Sequence, residues 1–321
     1  MKRFLWIGVT TVLASGAWAG TIQITSPRTG DFLGRTNQLK FTTTNSFAQA
    51  RVAATITNVA NPLIRFTKQG DFDPNDENKI TGNLDLNFDR STPEGLYTIV
   101  VTVTEPGNSY PVTTISNVTI DVVEPKFLDS NPLSGTFVRG LVPIQLSLQE
   151  NNIEEWRVQV NGTDIPNNTG NTSTVNVTWD TAAIERDGSQ SINIKVDDKA
   201  KNSANKGINV TLDRVAPSIQ ILSPTSTAFR PGATIPVAVD ILDQFSGSVT
   251  PLAVDVSMYT TGNVLIGRVA RISARNSGNN LNWTGRIRNT RVLPRQFYLR
   301  VTAIDRAGNP ATTQQVTVNL R

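Results

Sequence analysis

Residues 296–320 read QFYLRVTAIDRAGNPATTQQVTVNL. Apolar side chains take every second position twice over, at Phe297, Leu299, Val301 and Ala303 and again at Val316, Val318 and Leu320. Successive side chains of a strand point to opposite faces, so a period of two marks a half-buried β-strand. Between the two runs, Asp305 through Asn309 supply turn-forming residue types. The same unit occurs twice upstream. Ile192, Ile194 and Val196 lead to Asp198 and Asn202 and then to Ile208, Val210 and Leu212. Tyr97, Ile99, Val101 and Val103 lead to Glu105 and Asn108 and then to Val118, Ile120 and Val122.

The segments that open these units also match. Each has a short apolar strand ending in Ser-Pro or Asn-Pro, at Pro27, Pro132 and Pro224, with a Phe five residues on, at Phe32, Phe137 and Phe229. An alternating strand follows in each, Leu39/Phe41, Ile144/Leu146/Leu148 and Val237/Val239/Ile241. Clusters of Gly, Asn, Asp, Ser and Pro interrupt the chain about every ten residues, the spacing of antiparallel sandwiches. Glu124-Pro125 and Ala216-Pro217 mark the joins, since proline suits the start of a strand.

The reading is an all-β protein of three tandem immunoglobulin-like β-sandwiches after a signal peptide: residues 1–19, then 20–124, 125–216 and 217–321. Lys2 and Arg3 precede the apolar run FLWIGVTTVLA at 4–14, which is shorter than the roughly 20 residues a spanning helix needs. Ala17-Trp18-Ala19 gives the small-x-small pattern of a cleavage site before Gly20. Export to the periplasm, the cell surface or the extracellular space is the expectation, with no membrane span.

The 321 residues contain neither His nor Cys. Without them the chain has no Ser-His-Asp or Cys-His nucleophile, no thiolate chemistry and no zinc ribbon. The expectation is therefore that it is not an enzyme. Carboxylate-only glycoside hydrolysis survives this exclusion, but three compact repeats leave no long insertion to house it.

Asp305-Arg306-Ala307-Gly308-Asn309 resembles the D-x-A-G-N turn of bacterial immunoglobulin-like (Big-type) domains. Asp198-Lys199-Ala200-Lys201-Asn202 is a degenerate version, and Ala216-Pro217-Ser218-Ile219 resembles the opening of such repeats. The resemblance covers nearly the whole chain after residue 19, with a shortened turn, Glu105-Pro106-Gly107-Asn108, in the first repeat. It implies a surface, adhesive or envelope protein, or a spacer.

Two groups of side chains stand out. Residues 20–124 carry 8 basic and 11 acidic groups, residues 125–216 carry 9 and 11, and residues 217–321 carry 11 and 4, all eleven being Arg. Arg268, Arg271, Arg275, Arg286, Arg288, Arg291 and Arg295, with Arg300, crowd one stretch of the third repeat. Guanidinium forks suit phosphate, sulfate and carboxylate, so they are candidate ligand-binding residues; a solvated outer sheet face is the plain alternative. Asp71, Asp73, Asn75 and Glu77 gather oxygen ligands at a spacing like the start of a calcium loop, without the Gly and Glu at positions 6 and 12 of an EF-hand. Calcium is the only cofactor these residue types suggest, and a solvated acidic turn is the alternative. Trp156, Trp179 and Trp283 read as core residues, and Asp197, Asp198 and Asp305 as turn formers.

Binding, adhesion or structural scaffolding is the expected work. The alternative is a module that binds carbohydrate or an anionic envelope polymer, with the third repeat as contact surface. The expected partners are an envelope polymer or another surface protein, or a second copy joined at a sheet edge. Nucleic acid is not expected.

Overall fold

The computed structural model describes residues 19–225, 228–230, 232–245, 253–273, 280–288 and 293–321. The signal-peptide reading rests almost wholly on residues 1–18, outside this set. No helix of the described residues is long and apolar enough to cross a membrane.

In the first repeat the strands are β1 (Thr21–Ser26), β2 (Phe32–Leu33), β3 (Gln38–Thr44), β4 (Ala50–Asn58), β5 (Arg65–Phe72), β6 (Thr81–Asp85), β7 (Gly95–Thr104) and β8 (Thr113–Ile120). They form a three-stranded sheet, β1-β3-β6, and a five-stranded sheet, β2-β8-β7-β4-β5. The second repeat holds β9 (Lys126–Phe127), β10 (Phe137–Val138), β11 (Leu141–Gln149), β12 (Ile153–Val160), β13 (Thr163–Gly170), β14 (Thr174–Asp180), β15 (Gly188–Asp198) and β16 (Ser203–Leu212). The third holds β17 (Ser218–Ser223), β18 (Ala228–Phe229), β19 (Thr234–Leu242), β20 (Ala253–Thr260), β21 (Leu265–Ser273), β22 (Asn280–Arg288), β23 (Gln296–Ile304) and β24 (Gln314–Leu320). Their sheet orders, β9-β11-β14 with β10-β16-β15-β12-β13, and β17-β19-β22 with β18-β24-β23-β20-β21, repeat the first. This is the architecture of an immunoglobulin-like sandwich, built three times. The short strand after each Pro pairs parallel with the last strand of its repeat. The bonds Ser26–Pro27, Asn131–Pro132 and Ser223–Pro224 are all cis.

The alternating residues do what their period predicts. Leu39, Phe41, Val52, Ile56, Tyr97, Ile99, Val101, Val118 and Ile120 form one buried cluster. Ile235, Val237, Val239, Val254, Val256, Phe297, Leu299, Val301 and Val318 form another. Ile144, Leu146, Trp179, Ile192 and Ile194 are buried in the second repeat. Trp156 and Trp179 are core residues, and Trp283 packs against the third core. Two Trp rings lie so close over glycine that a Cβ at Gly170 would stand 2.3 Å from Trp156, and one at Gly285 2.2 Å from Trp283. At the foot of β7, Tyr97 Oη donates to the carbonyl of Pro93 at 2.6 Å, closing a tyrosine corner. Gln190 holds the same place in the second repeat, its Nε2 donating to Arg186 O at 3.1 Å.

The contacts gather into two compact units. One holds the described residues up to Lys126 with Glu150–Glu154 and Val196–Ala204, and the other holds Phe127–Gln149, Glu155–Lys195 and the described residues from Asn205. The turn that begins at Asp198 therefore belongs with the first repeat, and the turn at Asp305 with the body of the second and third.

Candidate functional site

Asp305 and Asn309 close the turn that decides the fold. Asp305 Oδ1 accepts the backbone N–H of Asn309 at 2.7 Å and Oδ2 accepts its Nδ2–H at 2.7 Å. Gly308 sits at φ +87°, a left-handed conformation that glycine takes without steric cost. The degenerate turn of the second repeat is built alike: Asp198 accepts from the N–H and the Nδ2–H of Asn202, both at 2.8 Å. There Lys201 takes the left-handed position, at φ +67°.

Each turn also grips the repeat before it. Asn309 Nδ2 donates to Asp213 O at 2.9 Å, and Asn202 Nδ2 to Asp121 O at 2.9 Å. The cation after each Asp lies over the Phe that follows the repeat-opening proline: Lys199 Nζ is 5.3 Å from the ring centroid of Phe32, and the Arg306 guanidinium 4.7 Å from that of Phe137. Arg139 donates from Nε to Ala307 O at 3.0 Å and from Nη2 to Gly308 O at 2.6 Å. Gly34 occupies the place of Arg139 at the first junction, where a Cβ would stand 2.3 Å from Ala200 O. Backbone meets backbone there, and only glycine fits.

Three carboxylates converge inside each junction. Asp121, Glu150 and Asp198 bring oxygens within 4.8 Å of one another, and so do Asp213, Asp243 and Asp305. Their positions correspond: the residue after the last strand of one repeat, the residue after the third strand of the next, and the turn aspartate. Asp121, Asp198, Asp213, Asp243 and Asp305 are all buried. Burial foremost, then the charges of Asp121 and Glu150, raises the Asp198 carboxyl above its ordinary pKa against the lowering effect of its Asn202 hydrogen bonds. Burial and a hydrogen bond to Asp121 raise Glu94 beside the same cluster. Such oxygen sets are what hard cations such as Ca²⁺ take, and protons offset the same repulsion. In the first repeat Asn45 stands at the position of Glu150 and Asp243, and Glu105 is satisfied locally. It accepts the N–H groups of Phe47 and Ala48 at 2.6 and 2.8 Å, the Asn108 Nδ2–H at 3.0 Å, and the Tyr110 hydroxyl. Burial raises its pKa, but these hydrogen bonds together outweigh burial and hold it below the usual range.

The residues singled out from sequence lie elsewhere. Asp71 makes a two-pronged ion pair with Arg51 on the neighbouring strand, at 2.8 and 3.0 Å. Asp73 accepts from Gln49 at 3.0 Å, Asn75 Oδ1 caps the N–H groups of Glu77 and Lys79, and Glu77 pairs with Lys79 at 2.6 Å. Each of these side chains has its own partner, and among the described residues their carboxylates are not gathered as the junction carboxylates are. The Arg group is divided between sheets. Arg268 and Arg271 are exposed on the edge strand β21 of the five-stranded sheet, and Arg300 is half-buried on β23 of that sheet. Arg286 and Arg288 alternate with buried Ile287 on β22, so they face outward from the opposite, three-stranded sheet. Arg295 is exposed just before β23, and Arg275 and Arg291 lie outside the described residues. The junction carboxylates other than the turn Asp residues were missed from sequence. Their signal is an acidic residue directly after matching strands in successive repeats.

No family model matches the chain, and no curated protein matches it. Among solved structures it is similar to fibronectin(III)-like modules of Clostridium thermocellum CbhA, with 13% identity over 61% of this chain and 94% of that one and a TM-score of 0.37. It is similar to the I-band fragment I67–I69 of titin, at 14% identity over 94% and 98% of the two chains, with a TM-score of 0.38. It is also similar to a Ca²⁺-stabilized adhesin with which an Antarctic bacterium binds ice, at 14% identity over 96% and 75%, with a TM-score of 0.34. With scores this low the architecture rests on the chain's own strand order, and that order is of immunoglobulin-like sandwiches repeated in tandem.

Proposed function

We propose that this chain is an exported, non-catalytic scaffold of the cell surface or envelope, which holds immunoglobulin-like domains in succession for binding or adhesion. The observation that carries this reading is the junction. The same turn, Asn clasp, cation over Phe and carboxylate triad recur where each later repeat meets its predecessor. A chain whose task is to join domains in fixed order has reason to spend buried polar groups there, because an unsatisfied buried polar group is costly and a satisfied network specifies one arrangement. The signal-peptide pattern of residues 2–19 supports export. The test is fractionation of cells producing the full chain, together with an adhesion assay on a strain lacking it. Recovery in envelope or secreted fractions with reduced adhesion or altered surface integrity supports the proposal. Retention in the cytoplasm with an intact Met1 overturns it.

A further inference from the structure

We infer that the outer face of the five-stranded sheet in the third repeat binds an anionic polysaccharide. This goes beyond the scaffold reading and stands without it. Strand pairing places the face residue by residue. Arg268 on β21 is opposite Ser257 on β20, which is opposite Arg300 on β23, which is opposite Gln315 on β24. Strands lie about 4.8 Å apart, so Arg268 and Arg300 stand roughly 10 Å from each other across the sheet, close to the length of a disaccharide. The row on one side holds Arg271 opposite Asp255, and the row on the other holds Tyr259 opposite Tyr298. Buried Val254, Val256, Leu299 and Val301 alternate with the β20 and β23 members and fix them on the outward side, while Arg268 and Arg271, three apart on β21, are brought opposite Ser257 and Asp255 by the bulge between them.

Charge and chemistry then select the ligand. Three Arg meet one carboxylate, since Asp255 is engaged by Arg268 at 2.5 Å. Arg300 is held in place: its guanidinium lies 4.3 Å from the centroid of Tyr259, and Nη2 donates to Asn263 at 2.7 Å and Gln315 at 3.2 Å. Its Nε is buried with no hydrogen-bond partner. A fixed, stacked guanidinium presents its charge with little further ordering cost. Tyrosine rings have electron-rich faces that attract the C–H faces of sugar rings. Cations alone would suit any polyanion. Arg300 covers one face of Tyr259, so Tyr298 is the ring left for a sugar, and cations in one row with Tyr298 in the next suit a sugar chain bearing sulfate, phosphate or carboxylate.

The full chain should be titrated with dextran sulfate, neutral dextran and polyglutamate. Dextran sulfate should bind most tightly and weaken as salt shortens the Debye length. R268A/R271A should weaken it about tenfold or more, the scale of losing charge-assisted hydrogen bonds. R286A/R288A removes the same charge from the opposite face and should change binding less than twofold. Tyr298→Ala should weaken dextran sulfate several-fold and leave its salt dependence unchanged, with Tyr298→Phe near wild type. Equal losses for the two Arg pairs, equal binding of polyglutamate and dextran sulfate, or indifference to Tyr298→Ala would each overturn the inference. So would the absence of dextran sulfate binding.

Discussion

Asn309 is a small residue with a large share of the third repeat's attachment, because one amide group bonds both Asp305 and the Asp213 carbonyl. Asn309→Ala leaves a buried carbonyl and a carboxylate oxygen short of a donor. Urea unfolding of the full chain should show a loss of about 1–3 kcal/mol. Asn202→Ala should do the same at the first junction. Glu150→Gln tests the opposite sign. The raised pKa of Asp198 means that its ionised form is disfavoured in the fold. The stability linked to it therefore grows as pH falls from neutral towards the ordinary carboxylate range, and declines as pH rises through the folded value. Removing the neighbouring charge at Glu150, whose Oε1 contact with the Asn152 N–H a glutamine retains, should stabilise the chain at pH 7 in chelator by on the order of 1 kcal/mol. It should also flatten the gain on acidification, as read by thermal unfolding between pH 5 and 8. At this scale the sequence was legible only in part. Asp198 and Asp305 declare themselves as turn formers by the Asn four residues on, with Gly308 as a further mark of the second turn. Their partners Asp121 and Asp213 sit in the preceding repeat, and only their recurrence directly after matching strands, not any pattern beside the turn, marks them.

At the scale of elements the strands were plain and their pairing was not. Period two identifies β19, β23 and β24, yet nothing in the residues says that β21 and β22 belong to different sheets. For that reason the Arg run reads as one cluster in sequence, while its described strand members, Arg268, Arg271 and Arg300 against Arg286 and Arg288, belong to two different sheets. The partners of the acidic stretch from Asp71 are distant in sequence in the same way. Arg51 and Gln49, which engage Asp71 and Asp73, lie on or beside β4, 20 and 24 residues away. The three-stranded sheet of the first repeat depends on a glycine for its own packing. A Cβ at Gly82 would stand 2.7 Å from Phe41 and 2.8 Å from Phe72, whose rings meet edge to face with centroids 5.0 Å apart. Gly82→Ala should force that pair apart and cost about 1–3 kcal/mol, seen as a lower unfolding midpoint with unchanged denaturant slope.

For the whole molecule, the separate hydrophobic clusters of the first and third repeats are the decisive feature. Val301 is fully buried in the cluster of the third. Val301→Ala removes two methyl groups from a packed core, which costs about 1–3 kcal/mol by transfer and cavity effects. Hydrogen exchange should report faster opening in 217–321, with protection in β3, β4 and β7 unchanged. Uniform loss along the chain would show that the repeats unfold as one.

The junction parts are distributed so that every repeat after the first carries its own plug, and each of the first two carries a socket. The second repeat has both: the Asp198 turn with Lys199, and Phe137 with Arg139 and Asp213. A gene in which residues 125–216 are duplicated in line would thus encode one novel seam, with Lys199 over a copy of Phe137 and Asn202 clasping a copy of Asp213. The one mismatch is Arg139 meeting the Ala200 side of the turn, where Gly34 now leaves room. The Gly34 position is therefore the first to consider in closing such a seam, since even one carbon there would stand 2.3 Å from the Ala200 carbonyl oxygen.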